Sequence, residues 1–332
     1  MQLEGKKILF ISPSFFGYEC AVVKRLKELG SIVYFFDDRP SNGFWGKGLL
    51  RAHKKLYAYK IKKYYEPIEK QINEIPQIDY LFLLSPEAFP ISLLRSITNR
   101  NSNVKVILYM WDSLKNKVGT QKYLSYCHSV FTFDPKDKQY AERIQFLPLF
   151  YLNEYARIMP KQTYDYEISF IGTAHSDRIV MFNKVRNQVE NYGGKTYAYF
   201  YLQSKKLFIY RKLTNPYFKK TNISDFRYEP LSSKMTMDVI ERSKAILDVQ
   251  HPNQTGLTMR TLEILGSQRK LITTNAEVRN YDFYNPQNIL VVDRDNPVIP
   301  QSFMQTPFVP IDECIYKKYS LDGWLNTIFS LS

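Results

Sequence analysis

Cysteine and histidine are scarce in this sequence, with three of the first and four of the second in 332 residues. Cys20, Cys127 and Cys314 lie far apart with no C-x-x-C spacing, and the histidines form no cluster. That excludes a disulfide framework and argues against a structural zinc, so all three cysteines are expected to be buried thiols. No run reaches the roughly 18 to 20 apolar residues that cross a bilayer. The chain opens directly on a strand pattern without a signal-peptide layout, so a cytoplasmic location is expected. No internal repeat or low-complexity tract appears. Carboxylates are also in deficit, 32 Asp and Glu against 46 Lys and Arg, for a formal charge of +14. An excess of that size points to an anionic partner, for which nucleic acid, a membrane surface and a phosphorylated substrate all stand.

What is present is enough for two cores, since 44% of residues are apolar and the length suits two domains. Lys6 to Ser12 reads as a strand, Cys20 to Leu29 as a helix and Ile32 to Phe36 as a second strand, a βαβ unit that implies a parallel sheet. The Gly17 loop at the carboxyl end of the first strand lacks G-x-G-x-x-G, which argues against a dinucleotide there. Further strands are expected at 80–84, 104–110 and 129–133. The fourth delivers Asp112, placed either to take a proton from an acceptor hydroxyl or to cap the following helix. Glu19 is a second candidate base, with an ordinary first-turn acid as its bland counterpart. Between them, 45–70 reads as a basic helix interrupted near Pro67, in which Lys47, Arg51, Lys54, Lys55, Lys60, Lys62 and Lys63 alternate with tyrosines. Either this is a solvated face with its apolar members packed inward, or it meets anionic lipid headgroups. Nucleic acid is not expected, because no recognised nucleic-acid module accompanies the charge.

A second α/β pattern follows a polar connection. Tyr166 to Ile171 reads as a strand, GTAHSDR as a loop with Gly172, Thr173, His175 and Arg178, and 177–191 as a helix. Ala245 to Asn275 reads as strand, polar loop, helix, strand. Gln254, Thr255 and Gly256 end the loop; Leu257, Thr261, Leu262 and Leu265 keep helical spacing; Arg260 and Glu263 fall to the other side; Gly266 stops the helix. Such a loop aims backbone N–H groups and the positive end of a helix dipole at one point, which suits a phosphate. Arg260 can neutralise a phosphate oxygen and Glu263 can accept from two ribose hydroxyls, or the two can form an i,i+3 surface pair.

GLTMRTLEILGSQRKLITTN, with its G-x-x-x-R-x-x-E core, resembles the nucleotide-sugar segment of GT-B glycosyltransferases, nearest to CgeB-like and capsule or O-antigen transferases. Where retaining relatives carry another glutamate ahead of this one, with seven residues between the two, this sequence has Thr255. The resemblance implies an α/β fold of two Rossmann-like domains facing a cleft, with a C-terminal helix crossing back to the first domain. Residues 1–152 and 315–332 would form the acceptor domain, and 164–314 the nucleotide-sugar domain. It also implies that Gly172 and Thr173 underlie the donor phosphates and that Tyr228, Pro230 and Leu231 border the nucleobase. The implied activity is transfer from a nucleotide-diphospho-sugar to a glycan or lipid-linked acceptor of a surface polysaccharide, without cofactor or obligatory metal. Alternatives on the same fold are transfer of a CMP-linked acid sugar or phosphopolyol, and non-catalytic nucleotide-sugar binding. The setting would be the inner face of the plasma membrane.

Overall fold

The computed structural model describes residues 3–39, 54–159, 161–251 and 255–330. Lys47, Arg51 and Gln254 lie outside them. The chain divides into two compact units, residues 1–148 with 324–332, and residues 149–323.

The first unit is built on β1 (Lys7–Ser12), α1 (Tyr18–Glu28), β2 (Ile32–Asp37), α2 (Lys54–Asn73), β3 (Tyr80–Leu84), α3 (Ile91–Arg100), β4 (Lys105–Met110), β5 (Ser129–Thr132) and β6 (Ile144–Phe146). Its strands pair in the order β2-β1-β3-β4-β5-β6, each pairing parallel, so all their carboxyl ends share one edge. Successive strand residues point to opposite faces. Leu9, Ile11, Leu81, Leu83, Val106 and Leu108 therefore join one core with residues of α2 and α3. Phe10, Phe82 and Tyr109 face the other way.

One detail of α2 differs from expectation. The helix runs through Pro67 without interruption. Proline forfeits one backbone hydrogen bond there, and the burial of Tyr65, Ile68 and Ile72 holds the two halves in line. Lys60, Lys62 and Lys63 are exposed while that apolar row packs inward, the arrangement of a solvated basic face. Of the cysteines, only Cys127 is buried; Cys20 and Cys314 are exposed, which corrects the expectation of three buried thiols.

The second unit follows the same plan: β7 (Tyr166–Thr173), α4 (Arg178–Asn191), β8 (Thr196–Tyr201), α5 (Lys205–Thr214), α6 (Ser233–Glu241), β9 (Ser243–Asp248), α7 (Met259–Ser267), β10 (Lys270–Thr273) and β11 (Ile289–Val291), then short helices α8 (Gln301–Gln305) and α9 (Glu313–Lys318). The sheet order is β11-β10-β9-β7-β8, again parallel throughout. Its carboxyl edge collects the ends of β7 and β9 side by side.

A last helix, α10 (Leu321–Ser330), begins beside Tyr151, whose backbone exchanges hydrogen bonds with Tyr319 and Leu321. From Trp324 onward it belongs to the first unit. Its apolar positions 324, 325, 328 and 329 keep helical spacing and cover the sheet face left by α2 and α3. Trp324 is 1% exposed and lies 4.8 Å from the Tyr109 ring and 6.0 Å from Phe82, while Phe329 meets Tyr80 and Phe82 at 5.1 and 5.7 Å. Trp324→Ala should cost about 3–5 kcal/mol of first-unit stability, as for a buried indole replaced by a cavity. Urea unfolding followed by far-ultraviolet circular dichroism measures it, and a loss under about 1 kcal/mol would mean the helix is not part of that core.

Candidate functional site

The site begins with an arginine at the start of α4. Arg178 Nε donates to the carbonyl of Val249 at 2.7 Å and Nη1 donates to that of Thr173 at 3.0 Å. One guanidinium thus ties the carboxyl ends of the adjacent strands β7 and β9. Gly172 makes room for it, since a Cβ there would lie 3.3 Å from Arg178 Nη1 and 3.0 Å from Phe170. Gly172 and Thr173 do not form the loop expected of them; they close β7, in register with Phe200 and Tyr201 of β8. The loop proper is residues 174–177, and the amide of its first residue, Ala174, is taken by Tyr201 O at 2.7 Å.

More positive charge surrounds that loop. Arg294, just beyond β11, grips the Asp177 carboxylate with Nε and Nη2 at 2.6 and 2.7 Å, and Nη2 also reaches Gln250 O at 3.0 Å. Burial raises the Asp177 pKa, but the Arg294 hydrogen bonds and charge outweigh it, leaving that carboxyl below its ordinary value. Arg211 of α5 donates to Ala174 O. His175 sits among them, its Nδ1 3.1 Å from Ser176 Oγ and its ring 5.5 Å from that of His251. Burial, then the charges of Arg178, His251, Arg211 and Arg294, push its pKa down to about 3, so it is neutral at physiological pH. Arg178 itself is lowered to about 10, by burial first, against the pull of Asp248 and with Arg294 and Arg260 adding to the drop. The arginines repel one another here, and an anion placed among them relieves the repulsion.

The second approach to this edge is the amino end of α7. Thr258 caps it, its Oγ1 accepting from Thr261 N at 3.2 Å. The Asp248 Oδ2 at the end of β9 accepts from the hydroxyls of Thr258 at 2.6 Å and Thr261 at 2.7 Å. Asn275 Nδ2 donates to the carbonyls of Thr255 and Gly256 at 3.2 and 3.4 Å, fixing the loop before the cap. Arg260 and Glu263 pair at 2.5 Å, i to i+3. They do not form a surface pair: Glu263 is 3% exposed, and its Oε1 accepts from Tyr155 OH at 2.9 Å. Residues 261–267 are all buried, because the short turn Tyr155–Arg157 and the Tyr151 ring cover the side that sequence spacing left open. Gly266 does not end the helix. It allows contact with Tyr151, whose Cγ would be 2.5 Å from a Cβ, and the left-handed residue that closes α7 is Gln268, φ 51°.

The remaining expected residues fall elsewhere. Arg227 forms a parallel bridge with Tyr201 at the free edge of β8. The turn after it leaves Pro230 exposed and Leu231 half-buried, with Tyr199 OH on Glu229 O at 2.8 Å and Tyr228 OH on Ile223 O at 3.0 Å. In the first unit, Asp112 Oδ1 accepts from Ser113 N at 2.9 Å and Asn116 Nδ2 at 3.1 Å; it does not cap a helix, since the next helical turns are Val118–Tyr126 with Lys117 before them. Glu19 is 6% exposed, with Oε2 on Phe15 N at 2.9 Å. Arg294, Arg211, Asp177 and Asp248 were not foreseen as site residues. No spacing in the sequence singles out Arg294, which stands between Asp293 and Asp295 in a D-x-D triplet. Asp293 Oδ1 there accepts from the amides of Asp295 and Asn296 at 2.8 and 2.7 Å, and among the described residues no cluster suited to a metal ion occurs.

The two units together match solved structures of the GT-B class over nearly the whole chain. A glycosyltransferase from Rickettsia africae is 14% identical, covering 98% of this chain and 97% of its own with a TM-score of 0.60. HepE of Anabaena, solved with UDP and glucose, is 8% identical, covers 98% of each chain and has a TM-score of 0.61. A proposed UDP-N-acetylglucosamine 2-epimerase from Listeria monocytogenes is 9% identical, covering 99% of this chain and 98% of its own, TM-score 0.54. At such identities the likeness fixes the fold and not the reaction. No protein-family model and no curated protein sequence matches the chain.

The lowered pKa of His175 sets a pH dependence. Between about 3 and the ordinary 6.5 the unfolded chain binds a proton there that the folded chain refuses, so stability falls as pH falls through that window. Relative to His175→Gln, the wild type should lose at most about 2 kcal/mol between pH 7 and pH 5. Urea titrations of both proteins at the two pH values check it; parallel losses would show that His175 titrates as in water.

Proposed function

We propose that this chain is a glycosyltransferase whose second unit holds a nucleotide-diphospho-sugar, with the diphosphate against Arg178, Arg294, Arg260 and the amino end of α7. The convergence of Arg178, Arg211 and Arg294 on the neutral His175 carries the reading, since this field favours a multiply charged anion at the edge where open parallel sheets take their ligands. HepE, of the same fold, was solved with UDP and glucose, a precedent for such a ligand. Thr255 and Gly256 would line the phosphates, and Tyr228, Pro230 and Leu231 the base. Glu263 would take the ribose. The leaving diphosphate gains its countercharge from fixed guanidinium groups, which makes an obligatory metal unnecessary in this reading. The acceptor, a glycan or lipid-linked saccharide of a capsule or O-antigen type polymer, would belong to the first unit, with Asp112 or Glu19 taking its proton.

Thermal shift against UDP, GDP, dTDP, ADP, CMP and their sugar conjugates should give a rise in melting temperature with one nucleotide series, because a ligand of the native state alone stabilises it. Arg294→Ala should weaken that ligand about ten- to hundredfold, the worth of charge-assisted hydrogen bonds. No shift with any nucleotide would sink the proposal. With the donor known, turnover should survive EDTA; its loss, restored by a divalent cation, would remove the metal-independent part.

A second reading has an observation of its own. Asp112 and Glu19 are both engaged by backbone amides, as in a nucleotide-sugar binder that does no chemistry. Asp112→Asn and Glu19→Gln separate the two: retained donor binding with lost turnover in either variant supports the enzyme.

A further inference from the structure

Helix α5 presents an apolar face to solvent. Its inner side is anchored by Phe208, buried 5.2 Å from the Phe226 ring. The outer side carries Lys206, Ile209, Tyr210 and Leu213 at i, i+3, i+4 and i+7, and the last three are 57, 62 and 78% exposed. A solvated helix face ordinarily carries charge at those positions. Tyr217 and Ile223, both 45% exposed, extend the apolar surface through the turns that follow.

The charge from residue 203 to 224 has a single sign, and the first carboxylate, exposed Asp225, ends the Ile223 turn, where it accepts from Asn222 N at 2.7 Å. Residues 203–224 contain six Lys and Arg and no Asp or Glu. Arg211 and Lys212 turn to the carbonyls of Ala174 and Thr221, while Lys206, Lys219 and Lys220 are exposed on the surface. Basic residues interleaved with exposed Ile, Leu and Tyr match a boundary of anionic headgroups over acyl chain. A second copy of the chain matches it poorly, since a two-fold contact would set lysines against lysines. Helix α2, as basic as α5, directs Tyr65, Ile68 and Ile72 inward, and among its described residues Tyr59 alone is a large exposed apolar side chain.

We propose that this face of the second unit docks on an anionic lipid surface. Ile209, Tyr210 and Leu213 enter the headgroup boundary, and Lys206, Lys219 and Lys220 lie against lipid phosphates. The proposal is independent of the donor reading, which concerns the sheet edge.

The test is co-sedimentation of the full chain with vesicles of phosphatidylglycerol and phosphatidylcholine, and with phosphatidylcholine alone. The protein should pellet with the anionic vesicles, much less with the neutral ones, and less again as salt is raised. Ile209→Ser with Leu213→Ser should weaken partitioning at least about tenfold, and each of Lys206→Ser, Lys219→Ser and Lys220→Ser about fivefold. Wild-type protein left in the supernatant with anionic vesicles overturns the proposal. So does pelleting that the double variant retains while its melting temperature matches wild type, which would assign the membrane contact to another surface. A dimer in solution that the double variant disperses, without vesicle binding by the wild type, overturns it in favour of self-association. Nucleotide-dependent melting of the same variants reports separately on the donor site.

Discussion

The Arg178 guanidinium is the tie on which the second unit's ligand edge depends. Two neighbouring parallel strands end there with carbonyls aimed outward, Thr173 O and Val249 O, and one planar group with donors at fixed angles satisfies both. Lysine could not do this with the same geometry. Because the tie is a cation, it also sets the sign of the edge, and every nearby group responds. Asp248 holds two threonine hydroxyls and, with them, the amino end of α7. Asp177 is held by Arg294, which fixes the loop between β7 and α4 from its other side.

The consequence is preorganisation. Arg178, Arg211 and Arg294 are each bonded to loop carbonyls, so their charges are in place before any ligand arrives and need little reordering when it does. Among the described residues, Asp177 and Asp248 oppose them at this edge. His175, placed where protonation would add yet another positive charge, stays neutral instead. Its ring is therefore available as a hydrogen-bonding group rather than a charge, and an anion close by would draw its pKa back up.

Much of the architecture was legible in the sequence, and the reason is periodicity. Alternating apolar residues in the strands and i, i+3, i+4 spacing in α1, α10 and α7 mark the elements whatever lies around them. Punctuation misled twice, at Pro67 and Gly266. Each is a local breaker whose context overrides it, through inward packing of Tyr65, Ile68 and Ile72 in one case and contact with Tyr151 in the other. The site was legible only as a place. Gly172, Thr173, Arg178, Arg260 and Glu263 were read as phosphate and ribose contacts; Gly172 and Thr173 close β7, Arg178 bonds the ends of β7 and β9, and Arg260 and Glu263 pair on α7. The cations that complete the site, Arg211 and Arg294, arrive from α5 and from beyond β11, and no spacing rule connects residues so far apart in the chain. The burial of Glu263 was invisible for the same reason, since the group that covers it, Tyr155, comes from far earlier in the sequence.

That burial shapes what binding at this edge involves. The Glu263 carboxylate already accepts a phenolic O–H from Tyr155 and a guanidinium from Arg260. A ribose brought to it exchanges one neutral O–H donor for another and displaces the buried Tyr155 hydroxyl from its acceptor, so the exchange gains no free energy of its own. Glu263 then selects for a vicinal diol by geometry while adding little to affinity. The favourable part must come from where cations outnumber carboxylates, between Arg178, Arg294 and the amino end of α7. Affinity should therefore follow the charge of the ligand's phosphates, with the ribose contact governing its register.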